Sequence, residues 1–407
     1  MLHKTKLAIA HLAVKAEWRA LLRRTVACYS SIVPALQKMI GQMFMVGVKA
    51  TELTPEERLI FNEAAVGGFI LFKHNVIDPE QIVALCRSLW DLEAEHPPFI
   101  AIDEEGGRVH RLPAPFTRFP AAARVGQLND PDLAYRLGKA TAEELTLVGI
   151  NLDFAPVLDV NSNPQNPIIG DRSFAADPTK VIKLSEKWTQ GLRDGGIIPC
   201  GKHFPGHGHT DKDSHLDLPV VDRSLDELKA TEFPPFIHAC RNGIEALMTA
   251  HVLYRALDPK LPATLSRAIV TGLLRQQFGY GGVVFSDDLE MKAISDNYGC
   301  PHLFPPRDAG ERGGGLEEAV LLAIGAGIDV LLYGHELDKA MDALEFLCAR
   351  AEREPALRSQ VENSYERIAQ LKRRCVKFFT GVAENELAAR LVLLDHQRIV
   401  DEIHGSL

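Results

Sequence analysis

The chain has 407 residues, 46 % hydrophobic and 24 % charged, which is the composition of an ordinary folded protein. Its net charge of −9 argues against general nucleic-acid affinity, because binding phosphates needs a basic face. The seven cysteines, Cys28, Cys86, Cys200, Cys240, Cys300, Cys348 and Cys375, are scattered and form no Cys-x-x-Cys pair. They read as free thiols in a reducing, cytoplasmic setting.

Residues 1–38 read as an extension, helical or poorly ordered. Within it, "LAIAHLAV" (7–14) is too short to span a membrane, and Lys15, Glu17, Arg19, Arg23 and Arg24 follow it. The "TVAC" that ends at Cys28 has the small residue of a lipoprotein cleavage box, but the charges before it leave no apolar stretch. No membrane association is therefore expected.

From residue 39 to 380 short apolar runs alternate with helical stretches. The runs are "MFMVGV" (43–48), "VGGFILF" (66–72), "FIAID" (99–103), "INLDFAPV" (150–157), "IIPCGKHF" (197–204), "ALMTAHV" (246–252), "GGVVFSDD" (281–288) and "GIDVLLY" (327–333). Each is nearly continuous rather than alternating, as parallel strands buried on both faces require. Helices are expected between them. Those over 78–95 and 130–149 open on Asp-Pro, and one over 224–243 opens on a serine and stops at a glycine.

Eight such strands with helices between them predict a (β/α)₈ TIM-type barrel as a single catalytic domain. A doubly wound open sheet would want a glycine-rich phosphate loop after the first strand, and "VGVKATELTPEE" supplies none. "CPHLFPPRDAGERGGG" (300–315) reads as a mobile loop. Helices over 336–353 and 357–379 should pack on the outside of the barrel, and residues 381–407 form a C-terminal tail.

Polar residues collect at the carboxyl ends of the runs: Asp103, Asp153, Lys202, His203, His251 and Asp287. Barrel enzymes build their sites at those ends. Burying so many charges is too costly for stability alone to explain it.

The stretch "KHFPGHGHTDKDSH" (202–215) carries four histidines. As a metal run it falls short, because Lys212 stands where H-x-H-x-D-H needs its last histidine. As a phosphate cradle it lacks the following Ser or Thr and helix. Acid–base chemistry fits better: Asp213, two residues before His215, can orient the imidazole and raise its pKa. Gly206 and Gly208 suggest a loop that moves. His207 and His209 are expected to shape it, and His251 either lines the pocket or is a satisfied core residue.

This stretch resembles the K-H-F-P-G-H-G-x-x-x-x-D-S-H signature of bacterial β-N-acetylglucosaminidases of glycoside hydrolase family 3. "IDEEGGRVHRL" (102–112), "DFAPVLDVNSNPQNPIIGDRSF" (153–174) and "VVFSDDLEMKAI" (283–294) are similar to further motifs of that family, in the same order. The resemblance implies a single barrel and a retaining exo-β-N-acetylglucosaminidase that acts on peptidoglycan-derived fragments in cell-wall recycling. It implies that Asp287 is the nucleophile and His215 the acid/base, oriented by Asp213. It also implies that Asp103, Arg111, Arg172, Lys202 and His203 bind the sugar, as a monomer and without metal or cofactor. Glu105 and Arg108 read as structural salt-bridge partners. A phosphorylase of the same family and a non-catalytic sugar-binding protein remain as alternatives.

Overall fold

The computed structural model describes residues 33–92, 95–210, 218–298, 316–377, 379, 387, 389–391 and 395–405. Eight parallel strands close into a barrel: β1 (Phe44–Gly47), β2 (Gly68–Leu71), β3 (Phe99–Ile102), β4 (Leu152–Asp153), β5 (Ile198–Phe204), β6 (Ala246–Thr249), β7 (Val283–Asp288) and β8 (Val330–Tyr333). Each lies within one of the eight apolar runs. Closure comes at β1, where Phe44 lies beside Leu331 of β8 and Met45 beside Gly68 of β2. The strands are buried on both faces, toward the barrel interior and toward the helices, so the apolar runs show no alternation.

Capping residues fix where the helices begin. Asp78, Asp130 and Asp177 each accept backbone N–H bonds at the start of a helix whose first residue is proline. Proline fits there because its missing N–H would be unsatisfied anyway. Thr54 and Ser224 form capping boxes with Glu57 and Glu227. The helix expected over 224–243 is in fact two, Leu225–Ala230 and Phe233–Arg241. Pro234 and Pro235 cannot continue a helix as donors, so the chain breaks before them and they enter the first turn of the second piece.

The last long helix packs on the outer helices, as expected, and reaches further. Pro355–Cys375 does not simply lie against the outer helices; it crosses the amino-terminal end of the barrel. Its Lys372 Nζ donates to Gln42 Oε1 and Gly67 O, both at 2.7 Å, and sits 4.6 Å from the Phe99 ring centre. Arg367 from the same helix and Arg275 clasp the buried Asp329 just before β8. Helix Val33–Gly41 packs on Leu337–Arg353 and Pro355–Cys375. Among the described residues no helix is long and apolar enough to cross a membrane. Residues 1–32, and the 300–315 segment read as mobile, lie outside the described residues.

Candidate active site

The carboxyl ends of the strands surround a cavity of about 460 Å³. Its polar wall begins at Asp103, directly after β3. The chain then turns sharply through Gly106 and Gly107 at φ 83° and 60°, where a side chain would run into Pro120 O and Ala121. That turn brings Arg111 back beside Asp103, 3.4 Å away.

Lys202 on β5 reaches Asp103 Oδ1 and Glu105 Oε1, both at 2.6 Å, and Arg172 grips Glu105 through two bonds of 2.8 Å. Lys202 is only 2 % exposed, so these charges interact with little water between them. Burial alone would raise the Glu105 pKa, but Arg172 and Lys202 outweigh it and hold the carboxyl well below its usual range. Burial likewise opposes the Lys202 charge, and Asp103 and Glu105 restore it. The result is a fixed lattice of donors and acceptors suited to hydroxyl groups.

His203 follows on β5 and is oriented from behind. Its Nδ1 lies 2.7 Å from Asp159 Oδ2, and its backbone N–H donates to the same carboxylate. With Asp159 on Nδ1, the opposite ring nitrogen is left for the cavity. Asp159 also accepts the His207 N–H at 2.7 Å. Burial pushes the His207 imidazole down to about 4.

Within the described part of the histidine run each ring has a protein partner of its own. His207 Nδ1 meets Thr210 Oγ1, and His209 Nδ1 meets Ser162 Oγ. Among the described residues no group of three possible ligands converges. Gly206 and Gly208 are also placed by packing. A Cβ on Gly208 would fall 1.6 Å from Val160 O, and one on Gly206 would meet Glu232 at 2.8 Å. Close packing requires both glycines, and the segment up to Thr210 is anchored by Asn163 and Asn166. Asp213 and His215 lie outside the described residues.

Opposite the charge lattice, Asp287 at the end of β7 lines the cavity and accepts the Asp288 N–H at 2.9 Å. Asp288 lines the same cavity. It accepts the Glu290 N–H, faces His335 Nε2 at 3.6 Å, and burial pushes its pKa up to about 7. A carboxyl raised in the folded state stabilises fully below its unfolded pKa of about 4 and loses that stabilisation as pH rises through about 7. Asp288→Asn should therefore remove a downward slope in stability between about pH 4 and 7. Urea melts across that range check this, and a slope equal to wild type would refute it.

Of the predicted site residues, the structure gathers Asp103, Arg111, Arg172, Lys202, His203 and Asp287 around one cavity. Asp153 lies beneath it, fully buried; burial raises its pKa, and its Oδ2 finds no hydrogen-bond partner among the described residues. His251 is a core residue, bonded to Thr264 Oγ1 and to the Asp288 carbonyl. Arg108 pairs with Asp171 at the surface.

Sequence reasoning left Glu105 out of the cavity, and it missed Asp159. The available signals were an extra acid beside Asp103 and an acid embedded in the apolar "APVLDV". The aromatic wall, where Phe72 and His335 stack with centres 5.1 Å apart, gave no signal.

Residues 35–371 match the model of the glycosyl hydrolase family 3 N-terminal domain. The chain belongs to glycoside hydrolase family 3. A family relative named β-hexosaminidase, from Alkalilimnicola ehrlichii, is 42 % identical over 264 residues, 63 % of this chain and 75 % of its own. A solved family 3 β-N-acetylglucosaminidase from a Paenibacillus species superposes with a TM-score of 0.77 at 36 % identity, covering 88 % of this chain and 68 % of that one. NagZ from Neisseria gonorrhoeae, solved with N-trifluoroacetyl-D-glucosamine, gives a TM-score of 0.66 at 32 % identity, covering 86 % and 97 %.

Proposed function

We propose that this glycoside hydrolase is a retaining exo-β-N-acetylglucosaminidase that removes terminal N-acetylglucosamine from peptidoglycan-derived fragments in the cytoplasm. The observation that carries the reading is the cavity's polarity. The Asp103–Lys202–Glu105–Arg172 lattice and His203 occupy one wall, and the Asp287 carboxylate faces them. A terminal sugar would lay its hydroxyls on the lattice and its anomeric carbon toward Asp287. The β-hexosaminidase and β-N-acetylglucosaminidase names of similar proteins support the same substrate class.

In the first step the Asp287 carboxylate attacks the anomeric carbon. The glycosidic C–O bond breaks, and the leaving oxygen takes a proton from the His215 imidazolium. In the second step His215 removes a proton from water, which attacks the glycosyl-enzyme and frees Asp287. Asp213 holds the imidazole. A histidine has an electrostatic advantage here, because a second carboxylate near Asp287 would raise the pKa of one of the two.

The test follows from how much help a leaving group needs. A low-pKa aryl group departs with little protonation, whereas a sugar hydroxyl requires it. His215→Ala should cut cleavage of a natural disaccharide by about 10²–10⁴-fold and the glycosylation step of an activated aryl glycoside far less. Equal losses on both would make His215 a binding residue. Formation of sugar-1-phosphate in millimolar phosphate would assign the chain to phosphorolysis instead.

A further inference from the structure

The C-terminal segment does not hang off the barrel. Helix Gln397–Gly405 buries Val400 and Ile403 and packs on helices Ala122–Leu128 and Pro131–Leu147. Arg136 grips Glu402 through two bonds of 2.7 Å. Just before this helix, His396 is 6 % exposed and bridges two neighbouring acids: Nδ1 lies 3.0 Å from Glu144 Oε1 and Nε2 lies 3.0 Å from Glu143 Oε2.

Glu144 is itself buried, and its other oxygen accepts the Thr117 N–H at 3.0 Å. Thr117 belongs to the long loop after β3. Two residues on, the Phe119 ring lies 6.2 Å from that of His396, and its carbonyl accepts the Gly107 N–H at 2.8 Å. Gly107 is at the turn that sets Asp103 and Glu105 against Arg111. One carboxylate thus ties the C-terminal segment to the sugar-facing loop.

We infer that Glu144 is a positioning residue for the sugar pocket, and that protonated His396, bridging Glu143 and Glu144, locks it in place. The loop carries four pocket residues, Asp103, Glu105, Val109 and Arg111, but little regular structure, so its geometry depends on such outside anchors. Burial works against the charge on His396, but its bonds to Glu144 and Glu143 outweigh this and lift its pKa above the usual range. Among the described residues, the charged groups around it are Glu143 and Glu144 from the helix, Lys139 beyond Glu143, and Asp395 and Arg398 beside it in the chain. Phe119 closes the loop side. When His396 loses its proton on the alkaline side, the bridge between the two acids fails. The loop then loosens and the substrate binds less tightly, while the chemistry at Asp287 is unaffected.

The inference rests on the pocket being the N-acetylglucosamine site, and the experiment separates the two. KM and kcat for an aryl N-acetyl-β-glucosaminide, and inhibition by N-acetylglucosamine, are measured against pH for wild type, His396→Ala, Glu143→Gln and Asp103→Asn. On the acid side His396→Ala should raise KM and the inhibition constant by about 3–10-fold, the size expected of an indirect contact, with kcat little changed. The ratio to wild type should fall toward one at alkaline pH, where wild type has lost the proton too. Glu143→Gln does not touch the loop, and it should move the wild-type alkaline rise in KM to lower pH. It serves also if His396→Ala folds poorly. A fall in kcat at constant KM, or a KM ratio independent of pH, would overturn the inference. If Asp103→Asn leaves inhibition by N-acetylglucosamine unchanged, the pocket reading itself fails.

Discussion

If Asp287 is the nucleophile proposed above, Asp287→Ala should lose turnover on every substrate, by on the order of 10⁴-fold or more, because the covalent route is forfeited. Asp288→Ala should keep partial activity. Its carboxyl turns toward Glu290 and His335, and its backbone N–H, which alanine retains, donates to Asp287. A 2-fluoro sugar that traps the glycosyl-enzyme should label one peptide, at Asp287. Label on Asp288 would reverse the assignment, and an initial α-anomeric product would replace double displacement by inversion.

Lys202→Met should produce the largest loss of stability. The side chain is buried between Asp103 and Glu105, and methionine fills the volume but leaves two carboxylates facing each other. Arg111 is 3.4 Å from Asp103 and Arg172 is committed to Glu105, so neither replaces the missing charge. Removing one member of a buried ionic cluster costs about 3–5 kcal/mol. Urea denaturation should show that cost, and bound N-acetylglucosamine should recover little of it, since the lattice that would hold the sugar has been broken. A variant within about 1 kcal/mol of wild type would mean the lattice is wetter than its burial implies.

Much of this was legible in the sequence, for identifiable reasons. Parallel strands buried on both faces leave uninterrupted apolar runs, and Asp-Pro helix starts announce themselves locally. Charges such as Asp103, Lys202 and Asp287 stand out because they close those runs. What the sequence hid depends on long-range approach. Glu105 looked like a bystander because its partner Arg172 is 67 residues away. The tightness around Gly208 comes from Val160 O, and a glycine demanded by packing has the same letter as one that permits movement. The anchoring of the tail through His396 joins residues 252 apart, and no local pattern encodes that.

Lys372 at the floor of the barrel adds a consequence when set beside Asp288 at its mouth. Burial pushes the Lys372 amine down to about 7, and it donates to the neutral oxygens of Gln42 and Gly67. An amine lowered in the folded state stabilises fully above its unfolded pKa of about 10 and loses that stabilisation as pH falls toward about 7. Asp288 runs the other way, losing its stabilisation as pH rises to about 7. Each can contribute a slope of up to about 1.4 kcal/mol per pH unit, of opposite sign. Together the two proton equilibria cut a trough into the pH–stability curve at neutrality, where unfolding begins to release a proton from one end of the barrel and take one up at the other.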